Sequence, residues 1–382
     1  MDIWVYKHCF HCLNSSCLFA PLTPFQPLEE WIMADKRRLN GPPAGTRPPV
    51  FASSLLSSDG QHCVALERPV RTRKQHELRR IFLKTGLIPS ASGSAYLEFQ
   101  PSSFIPRSKL KTLIPPSSSL KLICSIHGPK PLPRSAPFSP NLLLSTHVKF
   151  APFASRRRRG HIRDVNERDL GVHLETALRG AIIAERWPKS GLDITVTVLE
   201  GEDDCWWGDV LSAGPLGGVD GWGLMNVLAG CITVASAAIA DARIDCMDLI
   251  TGGVAAFVES PNVETSGRTK DSSQRGHGYS LVLDPDPSEH LGIVSACVVG
   301  YMPSRDEITE LWLKGDTSNI SAGSQNAAAR HEALIDGAVD AARGAQAVLA
   351  EAVRESAERF AIHAGKKLAL SGSGTEDIEM KQ

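Results

Sequence analysis

Apolar and polar residues alternate over 95–99 (Ala-Tyr-Leu-Glu-Phe) and over 120–126 (Leu-Lys-Leu-Ile-Cys-Ser-Ile), a two-residue period that predicts a pair of strands. The β-like pattern begins near Arg80. Over 164–186 the period changes: Leu170, Leu174, Leu178, Ala181 and Ile182 fall on one helical stripe, stopped by Pro188 and Gly191. Residues 193–199 are rich in β-branched side chains and predict another strand. Residues 224–242 combine Ala, Gly, Ser and Cys, the composition of a helix pressed closely against a sheet. Further strands are expected at 252–258, 280–283, 293–301 and 307–313. A long helix over 324–362 follows, with Leu334, Ile335, Ala338, Val339, Ala342, Val348, Leu349 and Val353 on its apolar side. Strands, helix, strand, buried helix, strands, helix is the order of a two-layer α+β domain, a mixed sheet with helices on one side.

The intervening segments carry little periodicity. Residues 1–32 do not open a domain, whereas Met33-Ala-Asp-Lys-Arg-Arg reads as a natural start, so 1–32 is expected to be a non-native or disordered extension. It holds His8, Cys9, His11, Cys12 and Cys17, ligand types for zinc, but no second ligand pair at the usual distance. Residues 33–79 are expected to be disordered and Pro/Ser-rich, and 363–382 a polar tail. Loop insertions are expected near 101–119, 201–223 and 259–278, within a domain over 80–362. A further loop spans 130–141, with four prolines.

Charge alters this picture. Residues 1–163 carry 24 Lys and Arg against 8 Asp and Glu, while the remainder carries 17 against 34. One half suits a polyanion and the other suits basic neighbours, unless the two neutralise each other within one body. Nine cysteines scattered through apolar contexts in 382 residues point to reduced thiols rather than a disulfide scaffold. No uninterrupted run of 18 apolar residues occurs, and no membrane-spanning helix is expected.

Three segments carry a resemblance: Lys84-Thr-Gly-Leu-Ile-Pro-Ser-Ala-Ser-Gly-Ser-Ala-Tyr-Leu-Glu98, Leu122-Ile-Cys-Ser-Ile-His-Gly-Pro-Lys130 and Ala238-Ile-Ala-Asp-Ala242. Together they resemble the RNase PH family, most closely the fungal RNase PH-like ring subunits of the RNA exosome. The resemblance implies a duplicated RNase PH-like fold of the ribosomal protein S5 domain 2-like kind. Active members cleave RNA at its 3′ end with inorganic phosphate. They hold that phosphate on a Gly-Thr-Arg cradle at the start of the buried helix, and Mg²⁺ on two carboxylates. Here the cradle positions fall on Asn226, Val227 and Leu228, and no arginine occurs between Arg186 and Arg243 to restore it by a shift of register. The first carboxylate matches Asp284 and the second falls on Glu289 or His290. The prolines of Asp284-Pro-Asp-Pro-Ser-Glu289 favour a stiff surface turn there. The expected reading is a degenerate, non-enzymatic site without metal or other cofactor.

The strongest basic cluster is Arg156, Arg157, Arg158 and Arg159, followed by Arg163, with Lys130 as a weaker companion. Such a run can neutralise RNA phosphates without reading sequence, and it also reads as a nuclear-import element or a solvated face. Phe150 and Phe153 are expected in the core. Gly214, Gly217, Gly218, Gly221 and Gly223 lack the ending of a phosphate-binding loop and read as a flexible insertion bearing Trp206, Trp207 and acids. The resemblance implies other RNase PH-like subunits in a six-membered hetero-oligomeric ring, S1/KH cap proteins, a separate catalytic 3′→5′ exonuclease and single-stranded RNA as partners. It implies nucleus, nucleolus and cytoplasm as locations. The rivals are an active phosphorolytic exoribonuclease and a stand-alone RNA-binding processing factor.

Overall fold

Alternate residues of three neighbouring strands point at one helix. In the computed structural model, which describes residues 71–100, 119–155, 164–202, 221–260, 278–290, 292–317 and 327–372 (side chains at 260, 278 and 363–372 excepted), the first five strands make one sheet. They are β1 (Ile81–Thr85), β2 (Gly93–Phe99), β3 (Leu120–Pro131), β4 (Leu143–Phe150) and β5 (Ser190–Glu200), in the order β1-β2-β3-β5-β4. The expected pairing is present: Ala95 lies opposite Cys124 and Leu97 opposite Leu122. β4 runs parallel to β5, with Val148 opposite Val196. Parallel neighbours need a crossover, and helix α1 (Val165–Arg179) supplies it. The helix begins on a capping box in which Asp164 and Glu167 satisfy each other's backbone. Glu167 is buried because it also accepts from the Phe150 N–H at 3.0 Å and the Lys149 ammonium at 3.1 Å. The stripe Leu170, Leu174, Leu178, Ala181 and Ile182 is buried throughout.

A second, wholly antiparallel sheet has the order β7-β6-β8-β9, from β6 (Thr251–Ser260), β7 (Gly278–Leu283), β8 (Ile293–Met302) and β9 (Glu307–Gly315). Helix α2 (Trp222–Asp241) lies between the two sheets. Leu97, Leu122, Cys124, Ile194 and Val196 meet it from one side, and Val254, Ala256 and Val298 from the other. The alternate residues of the second sheet, Ala255, Phe257, Cys297, Val299 and Tyr301, pack instead with Leu334, Ala338 and Ala342 of the C-terminal helix α3 (Ala327–Gly372). Gly252 and Gly253 sit where both helices press closest. A Cβ on Gly252 would come within 2.2 Å of the Ala229 carbonyl, and one on Gly253 within 2.1 Å of the Ala338 carbonyl. The small residues of 224–242 therefore serve two sheets, not one.

Three expectations change and one, the buried helix at 224–242, stands. The strands divide into two sheets with a helix layer between them, where a single sheet with one-sided helices was expected; the α+β class stands. β4 was hidden because only Val148 and Phe150 of its eight residues are buried, which leaves no alternation to read. The boundary at 80 moves, because 71–79 packs on the site described below. Helix α2 is long and apolar enough to cross a membrane by composition, yet the fold uses its whole circumference as core. Segments 1–70, 101–118, 156–163, 203–220, 261–277 and 373–382 lie outside the described residues.

Candidate functional site

The first turn of α2, the end of β5 and the turn after β7 converge at one place. Gly223 makes the convergence possible, since a Cβ there would fall 2.3 Å from the Glu202 carbonyl oxygen. At the end of β7 the chain enters the left-handed region at Asp284 (φ 49°), which turns its carboxylate inward. The carboxylate meets Arg79. The guanidinium donates to Asp284 Oδ1 at 2.7 Å and Oδ2 at 2.9 Å, and the Arg79 backbone N–H donates to Oδ2 at 2.9 Å. The same guanidinium donates through Nη1 to Glu202. Arg73 bridges Asp284 at 3.3 Å and Glu289 at 3.2 Å. Arg71 donates to the carbonyls of Leu283 and Asp284 and, within its own segment, to those of Lys74 and Glu77. Asn226 donates to Glu202 and, at 2.6 Å, to the Pro285 carbonyl. Asp286 accepts from the Ser288 N–H at 2.9 Å and its hydroxyl at 2.8 Å.

Burial governs the charges. It would raise the Asp284 carboxyl, but Arg79 and Arg73 hold it well below the usual carboxylate range. Glu202 goes the other way: burial, with Asp286 adding a like charge, pushes it up to about 7 against the opposing pull of Arg79 and the Asn226 hydrogen bond. Arg71 is lowered to about 10 by burial and then by Arg73. Between an ordinary 4.5 and about 7 the folded state therefore keeps a proton on Glu202 that an unfolded chain has lost. This contribution to stability is complete below about 4.5 and lost as pH rises through about 7. Asp284 contributes with the opposite sign, present above its ordinary 3.8 and lost as pH falls below it. Glu202→Gln should flatten the fall in stability between pH 5 and pH 8, a change on the order of 2–3 kcal/mol. Urea unfolding at the two pH values checks this, and an unchanged slope assigns the proton elsewhere.

The structure brings together some of the expected residues. Asn226 is in the network, while Val227 and Leu228 are fully buried in the core and present no donor to an anion. Asp284 and Glu289 lie together in the turn, with His290 at its half-buried end. That turn is buried from Asp284 to Glu289, where a surface turn was expected; the arginines before β1 supply the countercharge that burial requires. Lys130 stands elsewhere, on the end of β3, in an exposed ion pair with Asp193. Phe150 is core, as expected, but Phe153 is 75% exposed. Arg156, Arg157, Arg158, Arg159 and Arg163, and the loop bearing Trp206 and Trp207, lie outside the described residues. The four described cysteines are free thiols.

Mg²⁺ does not fit the side chains present. Both oxygens of Asp284 accept from arginines, Glu289 accepts from Arg73, and among the described residues no group of three or more His, Cys, Asp or Glu could hold a metal. The cavity among Arg79, Asn226, Gly252, Gly253 and Asp284 measures about 20 Å³, room for a water and not for a phosphate beside an RNA end. Sequence reasoning missed Arg71, Arg73, Arg79 and Glu202. Their signal was the density of arginine immediately before β1, which composition alone reads as a solvated run.

Comparison with known proteins decides the family. The model of the 3′ exoribonuclease family, domain 1 (RNase PH) matches residues 77–245. The exosome complex component MTR3 of Chaetomium thermophilum is 47% identical over 324 residues, covering 85% of this chain and 99% of that protein. The chain belongs to the RNase PH family, in its MTR3 group. The Schizosaccharomyces pombe exosome complex component mtr3 is 28% identical, covering 75% of this chain and 86% of its own. The human MTR3 is 24% identical, covering 74% and 90%. Among solved structures, rice Rrp46 shares the fold, with a TM-score of 0.50 at 13% identity, over 74% of this chain and 98% of that one. The RNase PH scaffold thus carries an arginine-filled centre at the start of its buried helix.

Proposed function

We propose that this chain is a non-catalytic, RNase PH-like structural subunit of the RNA exosome core ring that helps thread RNA toward 3′→5′ processing and degradation. Near-complete coverage of an exosome complex component at 47% identity carries the reading. The filled centre supports the non-catalytic part: a phosphorolytic enzyme needs anion donors where Val227 and Leu228 are buried, and free carboxylates where Arg73 and Arg79 are bound. Its partners on this reading are the other RNase PH-like ring subunits, S1/KH cap proteins, a catalytic 3′→5′ exonuclease and single-stranded RNA. Its locations are the nucleus and nucleolus, and the cytoplasm.

Within a ring, several basic loops converge on one strand, and the counterions released at each add up. Residues 156–159 are the segment proposed for that role here, with Arg163 and Lys130 as further basic candidates. Reconstitution with ring and cap subunits tests membership: the chain should be required for a stoichiometric complex. Changing the four arginines at 156–159 to serine should leave assembly intact. It should weaken RNA binding and flatten the slope of log affinity against log salt by roughly three units, at about 0.7 per phosphate for single strands. A complex that forms without this chain overturns the first claim, and an unchanged salt slope overturns the second.

A further inference from the structure

The loop between β3 and β4 is an arch held at both feet by one residue. Lys189, in the left-handed region (φ 56°), accepts from the Leu132 N–H at 3.2 Å and donates to the Ser139 carbonyl at 3.0 Å. Beyond Ser139 the chain is anchored again, by the bond from the Leu142 N–H to the Ala184 carbonyl and by burial of Leu142. Between these feet the sequence reads Arg134-Ser-Ala-Pro137-Phe-Ser-Pro140. Residues 137–139 form neither helix nor strand. Arg134, Pro137, Phe138 and Pro140 are all exposed, Phe138 by 73%. Arg134 has no ion pair among the described residues, and Lys189 beside the arch has none either.

An arginine followed at intervals of three by two prolines is a pattern with a physical reader. A polyproline II helix has three residues per turn, so positions 134, 137 and 140 would line one edge. Aromatic-lined grooves of the SH3 type dock two such prolines, and the fixed φ of proline lowers the ordering cost. The unpaired positive charge asks for acidic residues at one end of the groove. We propose that this arch is a docking ligand for a proline-recognising domain of the SH3 type whose groove is aromatic and acidic at the arginine end. A large aromatic side chain left in water at the crown of the arch is what such a contact would cover. The closed arch opposes it: the Ala136 N–H donates to the Pro133 carbonyl at 2.9 Å, bending the chain at Arg134 and Ser135, and both feet are tied to Lys189. Docking over all seven residues, on the order of 20 Å of polyproline II, releases that turn bond and the foot bond at Ser139.

The test uses the full chain against a panel of purified SH3 domains with acidic arginine pockets, by isothermal titration. At least one domain should bind. Pro137→Ala with Pro140→Ala should weaken binding at least tenfold with unchanged thermal unfolding, since both side chains are exposed. Arg134→Ala should weaken it too, and less so at high salt. Ala136→Pro removes the opposing N–H and should strengthen binding several-fold. Absence of binding across the panel, or indifference to the double proline change, overturns the proposal. So does protection of 132–140 from hydrogen exchange in the reconstituted ring, which assigns the arch to a ring neighbour.

Discussion

Arg79→Ala should destabilise the isolated chain by about 3–5 kcal/mol, the largest loss expected among the described arginines. Its side chain is 1% exposed and is the counter-ion of Asp284 and Glu202 together. Removing it leaves Asp284 almost dry with Arg73 as the remaining side-chain donor to its carboxylate, and Glu202 with an amide alone. Thermal unfolding should fall by roughly 10 °C for a domain of this size. Lysine at 79 keeps the charge but loses the two-pronged geometry, and belongs in between. Asp284→Asn alone also breaks the pair, yet combining it with Arg79→Ala should recover part of the loss, because the two groups are coupled. A change below about 1 kcal/mol, or strict additivity of the two substitutions, would show that the buried network is not what holds this junction together.

The second large expectation is an absence of rate. Labelled single-stranded RNA incubated with the isolated chain, Mg²⁺ and inorganic phosphate should release no nucleoside diphosphates. Each charge-assisted hydrogen bond missing from the cradle forfeits on the order of 1.5–3 kcal/mol of phosphate binding. Reinstating the guanidinium by Leu228→Arg should not restore turnover. Leu228 is fully buried between two sheets, so a charge placed there costs stability before it meets any anion. Steady diphosphate release that disappears in Asp284→Ala would overturn this expectation.

Element types were legible wherever one face of a strand or helix is buried. The pairing of 95–99 with 120–126 and the stripe from Leu170 to Ile182 follow from periodicity alone. β4 was not legible, since its residues are mostly half-buried and carry Ser145, Thr146 and His147 in sequence. The absence of a Gly-Thr-Arg sequence at 226–228 was legible, because the family resemblance fixed those positions. What replaced it was not. Arg73 and Arg79 reach Asp284 across more than 200 positions of sequence, and no local pattern distinguishes a guanidinium bound for the interior from one bound for water. The same holds for Glu202, whose neighbours in sequence are acidic and suggest a solvated loop.

The position of α3 has a consequence for synthesis. It covers the face of the second sheet formed by Ala255, Phe257, Cys297, Val299 and Tyr301, and it follows every strand of that sheet in the chain. Until it emerges, a greasy surface that includes Gly253 stays open on the nascent chain. Emergence of α3, not completion of the second sheet, is when that face first becomes safe from sticking to its neighbours.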